Sequence, residues 1–195
     1  GNRLLFYAQN NISWKNQSGN VRYVQMQNPY STAGYYFLTD RDDIETAEIA
    51  STGIATDEGR RITSFIDRTY YEKELSAPGE TGRVLLGEDF RYTTKQTFTL
   101  SMPGIVEGSK AALMVQFMVF QLQRDTRPMT ATINNQEVLS ISFPTLSTEG
   151  YSIGRLYSNS ALFATTGDNV AVTLSYPGGT TAKLANLDFI TINYH

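Results

Sequence analysis

Few residues in this sequence are of a type and spacing that support chemistry. Gly150-Tyr151-Ser152-Ile153-Gly154 has the G-x-S-x-G form of a hydrolase nucleophile elbow. Such an elbow works only where a strand turns sharply into a helix and a histidine elsewhere accepts the serine proton. The residues that follow, Arg155-Leu156-Tyr157-Ser158-Asn159, do not read as a helix. The sole histidine, His195, is the last residue given, where fraying defeats precise placement. A five-residue pattern with three fixed positions recurs readily by chance. Ser152 is therefore read as an ordinary serine.

Carboxylates offer two further candidates. Glu72, Glu74 and Glu88, with Lys73 and Arg83, form the densest charged stretch. A glycosidase needs two carboxylates facing each other across a cleft. On a strand, Glu72 and Glu74 share one face, so ionic pairing with Arg83 is expected ahead of acid–base work. Asp40, Asp42, Asp43 and Glu45 crowd oxygen ligands together as calcium sites do. They lack the glycine and spacing of an EF-hand loop, and a solvated acidic turn or helix start accounts for them equally. Apart from calcium at Asp40, Asp42 and Asp43, no cofactor is expected. Cysteine is absent, which removes thiol nucleophiles, disulfides and thiolate metal sites together.

Aromatic side chains suggest binding rather than catalysis. Trp14, Tyr30, Tyr35, Tyr36, Tyr70 and Tyr71 could stack on a sugar or a peptide, although most aromatics in sandwiches serve the core. Trp14, Tyr30 and Tyr35, with Arg83 and Glu88, make up the candidate binding surface. Arg83 and Glu88 are read first as residues that hold the fold. Gly82 and Gly87 beside them are expected to supply backbone freedom. Asn11-Ile12-Ser13 and Asn16-Gln17-Ser18 are glycosylation sequons in form only.

The elements that must position these residues read as strands. Leu4 to Tyr7, Val21 to Met26, Tyr35 to Leu38 and Ile62 to Glu72 are apolar and aromatic runs bounded by turn residues. Asn28-Pro29-Tyr30-Ser31 reads as a turn. Asp40 to Ala50 is the one helix candidate, with Asp40 as N-cap. Thr97 to Ser101 and Val170 to Tyr176 alternate with period two. Ala111 to Gln123 is too continuously apolar for a half-exposed strand and belongs at the centre of a sheet, covered on both faces or bent at a bulge. Asn134-Asn135 suits a two-residue hairpin loop, since Asn tolerates positive φ. Ile190, Ile192 and Tyr194 share a face of the last strand. The pattern predicts an all-β protein, a jelly-roll-like β-sandwich of many short, mainly antiparallel strands. Residues 1–195 are expected to form one such unit, with Ser76 to Gly82 the only plausible seam.

Bulk properties narrow the partners. A hydrophobic content of 41% suits a globular chain, and 195 residues suffice for a substantial core. A net charge of -3 without a basic cluster argues against nucleic acid. No apolar run approaches the length of a membrane span, and the first residues do not form a signal peptide.

Three segments, in order, carry a resemblance. Leu4-Leu5-Phe6-Tyr7-Ala8, Trp14, Asn28-Pro29-Tyr30-Ser31 and Tyr35-Tyr36-Phe37-Leu38-Thr39 make up the first. Tyr71-Glu72-Lys73-Glu74, Gly82-Arg83 and Gly87-Glu88-Asp89-Phe90 follow. Leu187-Asp188-Phe189-Ile190-Thr191-Ile192-Asn193-Tyr194 closes the set. This succession resembles the region that precedes the peptidase domain of the type IX secretion system sortases, gingipain-like cysteine peptidases of Bacteroidetes. The resemblance implies a non-catalytic accessory module of an exported, outer-membrane-associated or cell-surface protein, with its signal segment ahead of Gly1. Its expected partners are a downstream peptidase domain of the same chain and a secretion-system or substrate protein, with no insertion into a membrane. The alternative is a carbohydrate-binding jelly-roll module of an adhesin or glycan-degrading system, with a glycan as partner.

Overall fold

A computed structural model describes residues 6–39, 43, 53, 59, 61–78, 82, 84–121, 127–143, 154–177 and 183–195. Ten strands appear among them: β1 (Ile12–Asn16), β2 (Tyr23–Gln27), β3 (Asp67–Glu72), β4 (Lys95–Ser101), β5 (Lys110–Gln121), β6 (Met129–Ile133), β7 (Gln136–Ile141), β8 (Arg155–Ala164), β9 (Asn169–Ser175) and β10 (Lys183–Tyr194). Eight of them form two four-stranded sheets, ordered β3-β10-β5-β8 and β4-β9-β6-β7, and β1 pairs with β2 in a separate hairpin. Every pairing is antiparallel. First beside last, then third, then sixth, opposite second, seventh, fourth and fifth, is the strand order of a jelly roll.

The core lies between the sheets. Period-two alternation turns Leu113, Val115 and Phe117 of β5 inward to meet Ile190 and Ile192 of β10 and, across the sandwich, Phe98, Leu100, Ala131, Val172 and Leu174. Leu113, Val115, Phe117, Ile190 and Ile192 are wholly shielded from solvent. The other face of β5 is largely covered too, with Ala112, Met118 and Phe120 buried. Continuous apolarity in the sequence therefore corresponds to a central strand covered on both sides, as expected. Two 12-residue strands, β5 and β10, run side by side at the middle of their sheet. Their register slips between Leu187 and Phe189, which leaves Asp188 as the extra residue of a bulge.

The β1–β2 hairpin docks on the outer face of the β3-β10-β5-β8 sheet, and a strap of residues 86–90 extends the edge of that sheet. Gly87 N–H donates to Leu187 C=O at 2.7 Å, Leu187 N–H to Glu88 C=O at 3.0 Å, and Phe90 N–H to Ala185 C=O at 2.9 Å. Residues 86–90 thus continue, alongside residues 185–187, the edge that β3 provides alongside residues 189–194. Leu86 of this strap packs with Met118 and Phe120 in a small second cluster.

Several expectations need amendment. Tyr35 to Leu38 is irregular and exposed, not a strand, and residues 61–66 are irregular ahead of β3. Neither sequence run alternates, and each carries apolar residues that find no facing layer here. β1 and β8 are strands without a clear strand signal in the sequence, because their Ser, Asn and Lys content masks the pattern. Gly82 has φ of +71°, which favours glycine. Gly87 is required for space instead: an added Cβ would lie 3.1 Å from Lys73 C=O and 3.2 Å from Leu187 C=O. The Asn134-Asn135 loop matches its expectation, with φ of +52° and +64°. The helix proposed over Asp40 to Ala50 lies outside the described residues, apart from Asp43 in an exposed turn.

Candidate functional site

The hairpin is fastened to the sheet by polar groups. The Asn193 side chain of β10 accepts from Tyr23 N–H at 2.7 Å and donates to Tyr23 C=O at 2.9 Å. Gln25, 4% exposed, donates to Glu72 at 3.4 Å. Trp14 meets Tyr70 edge to face, with ring centroids 5.7 Å apart, and Arg68 lies over the rings of both Trp14 and Tyr23. Trp14 therefore spends its ring on hairpin docking.

Beneath and beside the hairpin sit three carboxylates. Burial pushes Glu72 up to about 7, and the neighbouring Asp188 carboxylate adds to the rise. Asp188, in the bulge, is also raised by burial, against the lowering effect of the Gln116 amide that donates to it at 2.6 Å. Glu74 is raised by burial and by Asp188. Each acid disfavours ionisation of the others. Glu74 Oε2 is buried and has no hydrogen-bond partner among the described residues, and the same holds for Gln25 Oε1.

Glu88 faces differently. It accepts a short hydrogen bond from the Tyr71 hydroxyl and pairs with Lys73 at 3.5 Å. Period two sends Tyr71 to the core-facing side of β3 and Glu72 to the outer side, so the glutamates grouped by sequence separate in space.

A cavity of about 430 Å³ opens between the turn that follows β2 and residues Glu74 and Leu85, which flank β3 and the strap, lined by Asn28, Tyr30, Ser31, Glu74 and Leu85 among others. The Asn28 side chain accepts from Tyr30 N–H at 3.0 Å, an Asx turn that fixes the approach to Tyr30. Of the three carboxylates only Glu74 lines this cavity. A carboxylate poised near neutrality suits acid–base work, yet Glu72 lies against an amide rather than at the cavity wall.

Of the candidate binding surface, the four described residues, Trp14, Tyr30, Tyr35 and Glu88, do not line one common site. Tyr30 lines the cavity, Tyr35 is exposed on the irregular segment beyond it, Trp14 is packed on the sheet and Glu88 belongs to the strap. Arg83 lies outside the described residues, as do Asp40, Asp42 and Ser152. His195 is exposed, and its carbonyl accepts from Val106 N–H at 2.6 Å. Among the described residues no group of three metal-ligating side chains is placed to hold an ion, and no helix is long and apolar enough to cross a membrane. Sequence reasoning missed Gln25, Gln116 and Asp188. A lone aspartate inside the apolar run Leu187 to Ile192 was the available signal for the last.

This geometry defines an all-β jelly-roll sandwich with a hairpin on one outer face and a strap along the edge of the same sheet. Compared with solved structures, the chain is similar to part of dimeric latent PorU from Porphyromonas gingivalis, with a TM-score of 0.72 and 20% identity over 97% of this chain. It spans 18% of the length of that PorU chain. Family 35 carbohydrate-binding modules from an environmental isolate and from Clostridium thermocellum align over 65% of the chain, at 14% and 15% identity, with TM-scores of 0.38; they are covered over 83% and 90% of their lengths. No family model matches the chain, and no curated protein matches it.

Proposed function

We propose that this chain is a non-catalytic accessory module of a gingipain-like peptidase or type IX secretion sortase. In this reading it packs against a peptidase domain and helps present substrate to it, at the surface of the cell that exports it. The observation that carries the reading is the stretch Tyr35 to Leu38. Tyr35 is 81% exposed, Phe37 99% and Leu38 80%. A sandwich with a filled core leaves these side chains in water, where burying a Phe or Leu would contribute about 1.5–3 kcal/mol each. Contiguous apolar exposure of this kind marks an interaction surface. The likeness to part of the PorU chain supports a neighbouring domain as the occupant. A chain without cysteine, whose single histidine is His195, supports holding over covalent peptide chemistry.

Hydroxyl-radical footprinting tests this reading. Oxidation of Tyr35, Phe37 and Leu38 is expected to drop when the chain is probed within the full-length gene product rather than alone. Equal oxidation in both would contradict it.

A further inference from the structure

We propose that the cavity between the turn that follows β2 and residues Glu74 and Leu85 is a binding site for a cationic side chain, lysine or arginine, of a protein segment, with Glu74 as its counter-ion and Tyr30 as its wall. The site is independent of the docking role of Tyr35, Phe37 and Leu38, and either proposal stands if the other fails.

Three observations converge on it. First, the cavity is about 430 Å³, ample for a long side chain and its water. Second, Glu74 lines this wall, and its Oε2 is buried and has no hydrogen-bond partner among the described residues. A carboxylate on a cavity wall favours a ligand that donates, and a charged donor above a neutral one. Third, the Tyr30 ring stands 81% exposed at the same cavity, held by the Asx turn at Asn28. An exposed ring beside a carboxylate accepts a cation over its face while the carboxylate takes its protons.

Charge decides between a cation and a neutral donor. Glu72 and Asp188 lie close enough to raise one another's affinity for protons, and Asp188 acts on Glu74 in the same way. Lys73, the nearest lysine in sequence, is engaged with Glu88 and the Tyr71 ring. A guanidinium or ammonium entering the cavity relieves this excess of negative charge, which a hydroxyl group cannot do. Leu85 in the wall suits the apolar stem of such a side chain.

The test is a two-dimensional amide NMR titration of the chain with Nα-acetyl-argininamide, Nα-acetyl-lysinamide, the uncharged Nα-acetyl-norleucinamide and the neutral disaccharide cellobiose. Saturable shifts are expected at the amides of Tyr30, Ser31, Thr32, Glu74 and Leu85 with the two cationic probes only, weakening at high salt. Glu74→Gln is expected to weaken binding at least ~10-fold, and Tyr30→Ala by several-fold, while resonances of β5 and β10 stay in place and report an intact fold. Equal shifts with norleucinamide, shifts with cellobiose alone, no shifts at these amides, or full binding by a folded Glu74→Gln variant would each overturn the proposal.

Discussion

The Asn193 side chain forms two hydrogen bonds to the backbone of a single residue, Tyr23, accepting at 2.7 Å and donating at 2.9 Å. An amide on a buried strand thereby imitates one rung of a β-ladder and clamps the hairpin across the sheet face. Asn193→Ala removes both bonds and leaves Tyr23 polar groups without them. The expected loss is about 1–3 kcal/mol. Because Trp14 is the only tryptophan and lies in that hairpin, its fluorescence in a denaturant titration reads undocking directly. An unchanged midpoint would show that the clamp contributes nothing.

Stability should fall as pH rises through the window set by Glu72. Its carboxyl is raised from the ordinary 4.5 to about 7 in the fold, chiefly by burial and then by Asp188. The folded chain then holds more protons than the unfolded one between those values, so the slope of unfolding free energy with pH is negative there. The contribution is complete below about 4.5 and lost above about 7. Asp188 and Glu74, also raised, act in the same direction. Urea denaturation at pH 5 and pH 8 checks this, and Glu72→Gln should flatten the difference. Greater stability at pH 8 than at pH 5 would contradict the burial of these acids.

Gly87→Ala forces a methyl group between two backbone carbonyls, at 3.1 and 3.2 Å, on opposite neighbours of the strap. Both carbonyls must give by a few tenths of an ångström to admit it, which strains the pairing of residues 86–90 with β10. A cost of about 1–3 kcal/mol is expected, with faster hydrogen exchange at Gly87 and Phe90 amides. Exchange rates unchanged from the parent chain would refute the close-approach explanation.

Asn135→Ile tests the β6–β7 turn without removing a described contact. With φ at +64°, a β-branched residue is strained there, and a loss of about 1–2 kcal/mol is expected by thermal denaturation. The same substitution at an extended surface position should be nearly neutral.

Much of this architecture was legible because burial and periodicity coincide. β5 read as central since an apolar run without alternation needs cover on both faces, and Asn134-Asn135 read as a tight loop since Asn accepts positive φ. The hairpin and strap were harder. β1 alternates Ile12 and Trp14 with polar residues, but only the facing sheet makes that alternation meaningful. The acidic cluster was invisible for a topological reason: Asp188 lies more than a hundred residues from Glu72 and Glu74, and a bulge in β10 brings it to them. Glu88, near in sequence, points its interactions to Tyr71 and Lys73 instead. Tyr35 to Leu38 misled because its aromatics look like a strand interior, whereas the fold leaves them outside, which is the basis of the docking proposal.

The most direct measurement is the affinity of this chain for the peptidase domain proposed to accompany it, expressed separately, before and after Tyr35→Ser, Phe37→Ser and Leu38→Ser are combined. The account predicts saturable binding that the triple variant weakens at least ~10-fold while its unfolding midpoint stays near that of the parent. No binding by the parent chain, or undiminished binding by the folded triple variant, would contradict it.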